Sequence, residues 1–363
     1  MDERPHDKPT RGRGAVGNPT GRYEVFDRHA VDDGWFLDAD DDLPPLRTEI
    51  TTEASRTVIT RNTSPDVPFD HSINAYRGCE HGCVYCFVRP SHAYAGLSPG
   101  LDFETRIFAK DDAPLVLERE LQRPGYVAEP IMLGANTDPY QPAERTRRIT
   151  RGILEVLAAF RHPLAIATKS ALVLRDLDIL APMAADGLAS VGVSVTTLDA
   201  GLARKMEPRA ATPAKRLATI RALAGAGIPT TVLAAPMIPH LNDHELERIL
   251  AEASRAGASA ANYILLRLPL ELKELFSDWL DAHYPDRAAR VLNQLRETRD
   301  GNLYVADFSA RMAGTGVYAE LLARRFRIAC KHLGLEASGT SERVLVTHLF
   351  RPPPRAGDQL SFL

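Results

Sequence analysis

The sequence is poor in cysteine and has no long apolar run. Only four cysteines occur in 363 residues, and three of them lie between Cys79 and Cys86. No apolar stretch approaches the roughly 20 residues of a membrane span, and the first residues, MDERPHDKPTRGRG, lack the apolar core of a signal peptide. We therefore expect no membrane segment and a cytoplasmic location, where clustered cysteines indicate a metal site rather than disulfides. The fourth cysteine, Cys330, lies in a helical pattern and is expected to be a buried structural thiol.

An excess of charge of either sign is also missing. The 44 Lys and Arg residues and 47 Asp and Glu residues give a net charge of −3, so composition gives no general argument for nucleic-acid binding. The length suits one barrel-sized domain with extensions, or two ordinary domains. We expect a disordered or extended acidic arm over residues 1–46, a central domain over 47–270 and a mostly helical extension over 271–363. Aromatic residues in GRYEVFD and GWFL leave open that the arm is instead a lid on the central domain.

The three clustered cysteines lie in the run RGCEHGCVYCFVRP, residues 77–90, separated by three and then two residues. Thiolates spaced so closely on a Gly-flanked loop can face one inorganic centre, and soft sulfur ligands select zinc, copper(I) or an iron–sulfur cluster. A structural zinc site needs four protein ligands, whereas a cubane held by three cysteines leaves one iron open. The count therefore favours a cluster, and the alternative is zinc with His81 or His92 as fourth ligand.

Apolar runs of strand length alternate with helical stretches from about Arg47 onward. The predicted strands are 72–76, 131–136, 164–170, 190–198, 230–238 and 262–268, and the predicted helices are 144–160, 172–184, 213–226 and 243–256. This alternation predicts an α/β fold with a parallel sheet of six strands. Periodicity alone does not separate a barrel from an open doubly wound sheet.

The CxxxCxxC spacing, with Tyr85 directly before the last cysteine, resembles the signature of the radical S-adenosylmethionine (radical SAM) superfamily. The resemblance implies a partial (β/α)6 barrel and a 4Fe-4S cluster held by Cys79, Cys83 and Cys86. It also implies that the open iron binds SAM, which one electron cleaves to methionine and a 5′-deoxyadenosyl radical. Tyr85 and Phe87 would then border the adenine, and a flavodoxin or ferredoxin would supply the electron.

Polar residues follow the predicted strands where such a barrel gathers its chemistry, at the carboxyl ends. They are Asn136, Thr137 and Asp138 after the second strand, Lys169 after the third, and Ser194 and Thr196 on the fourth. Each of these residues also has an explanation that does not involve SAM. Asp138 suits a turn, for example, and Lys169 suits a solvated surface. Together they predict the SAM site.

Within the superfamily the chain resembles the group around spore photoproduct lyase, a DNA-repair enzyme. The shared stretches are TDPYQPAE, TKS, SVTTLD and KMEPRAATPAKRL, and they place Thr137, Lys169 and Ser194 where that group contacts SAM. INAYRGCEHGCVYCFVRPSHAY, GLSPGLDFETRIFAK and LLRLPLE resemble an uncharacterised, photolyase-like bacterial subfamily more closely. The lyase's hydrogen-donating cysteine after strand two is replaced here by Ala135. The cofactor chemistry therefore carries over more firmly than the substrate.

The substrate stays open between several classes. Residues 311–355 hold eight Lys or Arg and three Asp or Glu, and with Tyr304, Phe308 and Tyr318 this pattern suits a nucleic acid. The alternative is a solvated helix face. Arg89, His92 and Tyr94 are further candidates for lining the cavity. A protein, tRNA or metabolite substrate is equally compatible, and the contrasting hypothesis is a non-catalytic zinc or nucleic-acid-binding module.

Overall fold

The computed structural model describes residues 10–24, 46–308, 310–337 and 345–353 of the chain. Its strands are β1 (Glu49–Thr52), β2 (Thr60–Arg61), β3 (His71–Ile73), β4 (Tyr76–Arg77), β5 (Arg106–Ala109), β6 (Ile131–Leu133), β7 (Leu164–Thr168), β8 (Ala189–Ser194), β9 (Thr230–Met237), β10 (Ala260–Leu265) and β11 (Glu336–Ala337). The six predicted strands are all present, and the first of them is divided between β3 and β4.

Eleven α-helices lie in the described part of the chain. They are α1 (Leu101–Thr105), α2 (Ala113–Leu121), α3 (Glu144–Arg147), α4 (Ile149–Ala159), α5 (Leu177–Ala185), α6 (Ala200–Met206), α7 (Pro213–Gly225), α8 (Leu246–Arg255), α9 (Leu272–His283), α10 (Pro285–Glu297) and α11 (Gly316–Leu333). The predicted helix 144–160 is broken at Arg148, whose φ is +54°. Among the helices described, none combines the length and the apolar character that a bilayer crossing requires.

The larger sheet runs in the order β11-β10-β9-β8-β7-β6-β3-β2 among the described residues. Its neighbours are parallel, apart from the antiparallel pair β2 and β3. The six strands from β3 to β10 in this sheet follow chain order without the reversal that defines a doubly wound sheet. The predicted partial barrel is therefore confirmed, and the open doubly wound alternative is wrong.

Burial along the strands explains why these segments form the core. In β7, Leu164, Ile166 and Thr168 are buried while Ala165 and Ala167 are partly exposed. This period of two places Leu164 and Ile166 on one face of the strand, where they join an apolar core with helix residues such as Leu154 and Leu157. Cys330 on α11 belongs to the same apolar core and is 2% exposed, which confirms its assignment as a buried structural thiol.

Two features of the fold differ from the expectation. A second, three-stranded sheet in the order β1-β5-β4 was not predicted, because its strands are short and carry no clear alternation. Within the arm over 1–46, residues 10–24 pack against the central domain, so an arm wholly exposed to solvent is wrong for this segment. Tyr23 of GRYEVFD stacks on Tyr94 with ring centres 5.4 Å apart, as the lid interpretation expected of its aromatic residues. The GWFL aromatics lie outside the described residues.

The C-terminal extension consists mainly of α9, α10 and α11, as predicted. Helix α9 buries Phe276 and Trp279 completely, and the indole N–H of Trp279 donates to the carbonyl oxygen of Lys205 at 3.1 Å. Helix α11 packs on α8, and β11 after it extends the main sheet beside β10. The extension therefore continues the fold of the central domain at this edge.

A buried histidine predicts a pH dependence of stability. His162 is fully buried, and burial lowers its pKa to about 4. Its Nδ1 lies 3.0 Å from the carbonyl oxygen of Pro163 and its Nε2 lies 2.9 Å from the Tyr126 hydroxyl, an arrangement that suits the neutral ring. Because the unfolded chain binds this proton more tightly, the stabilisation is complete above about pH 6.5 and is lost as the pH falls towards 4.

We expect wild type to lose about 2 kcal/mol more of its free energy of unfolding than His162→Gln between pH 7.5 and pH 5. Urea denaturation at the two pH values measures this difference. His92, whose pKa is also lowered to about 4 by burial, contributes equally to both proteins and cancels. An identical pH dependence in the two proteins would contradict the assignment.

Candidate active site at the barrel mouth

The cysteine loop is built from three consecutive tight turns. The backbone N–H of Gly82 donates to the Cys79 oxygen at 3.3 Å, that of Cys86 to the Cys83 oxygen at 3.2 Å, and that of Arg89 to the Cys86 oxygen at 3.1 Å. Gly82 has a φ of +67°, which favours glycine. Each cysteine carbonyl is therefore held, and the loop keeps its shape without strand pairing.

A buried ion pair holds the middle of this loop. Arg89 and Glu104 are both completely buried, and their charged groups meet at 2.5 Å. The Nε of Arg89 donates to the Cys83 carbonyl oxygen at 2.8 Å, and its Nη1 donates to the Gly100 carbonyl oxygen at 2.9 Å. The guanidinium therefore ties the cysteine loop to the segment that begins α1.

The N-terminal segment 10–24 completes this network. The backbone N–H groups of Gly14 and Ala15 donate to the Glu104 carboxylate at 2.9 and 2.8 Å. A Cβ on Gly14 would lie 1.7 Å from the Gly82 carbonyl oxygen, so only glycine allows this approach to the loop. The segment thus covers the cysteine loop from outside, and Arg22 fixes its far end through an ion pair with Glu271 at 2.7 Å.

Asp138 connects the cysteine loop to the end of β7. Its carboxylate accepts the N–H of Lys169 at 2.7 Å and the hydroxyl of Thr168 at 2.7 Å, and it lies 3.3 Å from Nδ1 of His81. Burial by itself would raise the pKa of Asp138, but His81 and these donors lower it to about 2. The predicted SAM contact is therefore a carboxylate whose oxygens are already occupied by the protein.

A second buried network lies at the end of β8, around Glu207. Its carboxylate accepts the hydroxyls of Tyr85 and Thr196 and forms an ion pair with Arg216. Glu207 and Arg216 lie in the KMEPRAATPAKRL stretch, whose role the sequence did not reveal. Glu207 directly follows α6 and Arg216 lies on α7, with other charged residues between them, so no local pattern singles out this pair.

The remaining predicted site residues are of two kinds. Some use their side-chain polar atoms in hydrogen bonds within the chain, and the others leave them open for a ligand. Thr137 is buried and its hydroxyl donates to the Tyr76 carbonyl oxygen at 2.8 Å. In contrast, the side chains of Asn136, Ser194 and Lys169 have no hydrogen-bond or ion-pair partner among the described residues. The Lys169 ammonium lies 5.9 Å from the centre of the Tyr85 ring, and Phe87 is 44% exposed. These open groups follow β6, β7 and β8, at the edge where the cysteine loop also lies.

The cysteines suit a metal cluster by their donor type and their surroundings. Burial raises the pKa of Cys79 and of Cys83, and Lys169 acts in the opposite direction on Cys83. A metal-bound thiol is deprotonated, and a thiolate in apolar surroundings needs a compensating positive charge. A metal centre at these cysteines would supply that charge. No three His, Cys, Asp or Glu side chains of the described residues gather around a single ion. A cubane does not require that, since each cysteine binds a different iron.

The other candidates from the sequence are held in different ways. Arg89 and His92 are buried, so neither lines an open cavity, whereas Tyr94 is 70% exposed. In the basic C-terminal region, Arg311 pairs with Asp66, and Arg325 pairs with Glu247 at 2.7 Å. The hydroxyl of Tyr318 donates to Asp243 at 2.7 Å. Two of the eight basic residues of this predicted surface are therefore neutralised within the chain, while Arg343 and Arg355 lie outside the described residues.

Comparison with known families agrees with this geometry. The sequence profile of the Radical SAM superfamily matches residues 73–253, which include the cysteine loop and β3 to β9 of the sheet. The chain carries a domain of the radical SAM superfamily. Members of this superfamily are enzymes, and membership implies SAM and a 4Fe-4S cluster as cofactors.

Relatives of similar sequence carry no assigned activity. An uncharacterised protein of Mycobacterium tuberculosis is 40% identical over 226 residues, which cover 62% of this radical SAM chain and 66% of the relative, just under two thirds of its length. An uncharacterised protein of Methanocaldococcus jannaschii is 26% identical over 222 residues, covering 61% of this chain and 79% of that one.

Among solved structures, spore photoproduct lyase has a similar fold. A variant of that lyase superposes with a TM-score of 0.52 at 18% identity, covering 79% of this chain and 81% of the lyase. Another lyase variant, with AdoMet and a dinucleoside spore photoproduct bound, gives the same values of 0.52 and 18%. At this identity the likeness shows a shared fold and no more.

The buried pair behind the cysteine loop yields a stability prediction for this radical SAM domain. Glu104→Gln leaves the Arg89 guanidinium buried without a counter-charge, which costs about 3–5 kcal/mol. We expect chemical denaturation to show a decrease of this size in the free energy of unfolding. The matched control is Glu252→Gln, whose partner Arg255 is 68% exposed, and we expect a change below about 1 kcal/mol there. Equal effects of the two substitutions would show that the buried pair does not anchor the loop.

Proposed function

We propose that this protein is a radical SAM enzyme that binds a 4Fe-4S cluster through Cys79, Cys83 and Cys86. With SAM bound, the cluster supplies the one-electron cleavage that yields methionine and a 5′-deoxyadenosyl radical able to abstract hydrogen from a substrate. The observation that supports this most strongly is the placement of the three cysteines. They lie on a rigid loop at the carboxyl edge of a parallel partial barrel, where α/β barrels hold their reacting groups.

The chain contributes orientation and shielding at this site. Arg89, Glu104 and the N-terminal segment fix the loop from behind, so the thiols are held in place before any cofactor binds. A held geometry lowers the cost of ordering the site, which is what second-layer contacts provide around metal ligands. Burial of Cys79 and Cys83 also limits access of water and oxidants from this side.

For SAM we propose two groups of residues. Lys169, Ser194 and Asn136 offer open polar groups, and we assign them to the carboxylate and amine of SAM, with Phe87 beside the adenine. Tyr85, Thr137, Asp138 and Thr196 have their polar atoms occupied within the chain, and we assign them to positioning the first group. Lys169 is central in this proposal, because a cation opposite a carboxylate gives a strong, charge-assisted hydrogen bond.

We infer that the substrate is a nucleic acid, with a damaged base as the site of hydrogen abstraction. A flavodoxin or ferredoxin in the cytoplasm would supply the electron. Reversal of a thymine dimer as in the lyase would need a cysteine that returns hydrogen to the substrate. At that position, after β6, this chain has Ala135, and the buried Cys330 lies on α11 in the apolar core. A different hydrogen donor, or a product that keeps the abstracted position modified, is therefore part of the proposal.

The test of the radical chemistry is anaerobic reconstitution with iron and sulfide, followed by dithionite, SAM and an assay for 5′-deoxyadenosine. We expect the wild type to bind about four irons per chain and to form 5′-deoxyadenosine. The variant with Cys79, Cys83 and Cys86 all changed to Ala is expected to lose both, because no donor set remains for the iron.

Cys330→Ala is the matched control, since it removes a thiol that lies in the apolar core. We expect it to retain iron, acid-labile sulfide and 5′-deoxyadenosine formation. A colourless wild-type protein that holds zinc and leaves SAM intact would overturn the radical SAM function and favour the zinc-binding alternative.

A further inference from the structure

Arg267 is a cation at the barrel mouth whose charge the described chain leaves uncompensated. It follows β10 by two residues, at the carboxyl edge of the sheet where the cysteine loop lies. Its guanidinium carbon is 4.5 Å from the centre of the Phe87 ring, and Phe87 directly follows Cys86. The arginine is therefore held flat against the cysteine loop, next to the place proposed for the cluster.

The partners of this guanidinium are unusually weak for a half-buried arginine. Nη1 donates to the sulfur of Met312 at 2.9 Å, and a thioether is a poor acceptor. No carboxylate oxygen lies within 4.0 Å of its nitrogens among the described residues. Burial lowers the pKa of Arg267, although the group remains protonated at neutral pH. A half-buried cation without an anion is costly unless a ligand supplies one.

The neighbouring charges do not fill this role. Asp66 is near enough to influence Arg267, but its carboxylate is engaged by both Nε and Nη2 of Arg311. Arg299, also nearby, is fully buried and donates to the carbonyl oxygens of Ala310 at 2.8 Å and Leu266 at 3.0 Å. Tyr304 and Cys86 also favour the charge of Arg267 without forming an ion pair with it. Nε of Arg299 has no partner among the described residues either, but that residue is fully buried, so Arg267 is the one of these two arginines that a ligand can reach.

The surroundings indicate what the ligand is. Arg311 lies over the ring of Phe308 at 4.6 Å, which repeats the arrangement of Arg267 on Phe87, and Phe308 is 47% exposed. Exposed aromatic rings beside arginines are the chemistry with which proteins hold single-stranded nucleic acid, because the rings stack on bases while the guanidinium binds phosphate. The planar fork of arginine also matches two phosphate oxygens at once.

We propose that Arg267 binds a phosphate of a nucleic-acid substrate strand and so places the neighbouring nucleotide at the radical site. This proposal rests on the proposed radical SAM function. It makes Arg267 a specificity residue for substrate and gives it no part in holding SAM.

The experiment measures fluorescence anisotropy of a short labelled single-stranded DNA oligonucleotide with the anaerobic, cluster-loaded protein. We expect Arg267→Gln to weaken binding about tenfold and to reduce the slope of log affinity against log salt by about 0.7, the value for one phosphate contact. Arg267→Lys, which keeps the charge and loses the fork, is expected to lie between the two. The control is Arg255→Gln on α8, an exposed arginine paired with Glu252, with binding within about twofold of wild type.

A second readout separates substrate binding from SAM binding. Formation of 5′-deoxyadenosine without oligonucleotide is expected to be unchanged in Arg267→Gln, and its iron content and circular dichroism should match wild type. A parallel loss of SAM cleavage would overturn the proposal and assign Arg267 to SAM. Unchanged oligonucleotide binding would also overturn it, as would an acidic peptide that displaces the oligonucleotide from the wild type and binds more tightly than it.

The assay for 5′-deoxyadenosine tests the proposed function independently of the binding experiment. If the wild type forms no 5′-deoxyadenosine, the radical chemistry fails. The anisotropy comparison of Arg267→Gln with Arg255→Gln still decides whether Arg267 is a phosphate site.

Discussion

The contact between Arg89 and Glu104 is the constraint on which the candidate site depends. Two opposite charges are fully buried behind the cysteine loop, and every remaining donor or acceptor of the pair is directed to backbone. A buried pair of this kind is stable only when its hydrogen bonds are satisfied. Here the satisfying groups come from the cysteine loop, the start of α1 and the N-terminal segment. The shape of the cysteine loop therefore depends on contacts among three regions, of which the N-terminal segment lies about 90 residues from Glu104 in sequence.

The polar residues of the barrel mouth also differ in whether their charges are compensated within the chain. Asp138 and Glu207 each collect several donors from the chain and hold neighbouring segments together. Lys169 and Arg267 have no carboxylate partner among the residues that the structure describes. Because a paired charge is already compensated and an unpaired one is not, ligands of negative charge are expected at the unpaired cations. The two open cations lie after different strands, and the proposed function assigns one to the carboxylate of SAM and the other to an anionic substrate.

Two arginines of the basic C-terminal region serve the fold. Arg311 and Arg325 fix the extension to the central domain through Asp66 and Glu247. Their charges are lost to any long-range attraction of nucleic acid, since each is neutralised by a neighbour. These two arginines therefore add little to a basic surface, whatever the substrate.

The sequence by itself determined the alternating α/β order with a parallel sheet, the cysteine loop and the strand ends that carry polar residues, and the strand order of the structure then decided for the partial barrel. These follow from local patterns, because the alternation of strand-length apolar runs with helical stretches and the spacing of Cys79, Cys83 and Cys86 are visible without any long-range contact. Only the tertiary structure decided which polar side chains are occupied. Asp138 and Lys169 both follow buried strands and look alike in sequence, yet one is surrounded by donors and the other is not. The arm over 1–46 was misjudged for residues 10–24 for the same reason. Its composition is that of a solvated tail, and it is the buried carboxylate of Glu104, about 90 residues away in the chain, that accepts its backbone N–H groups.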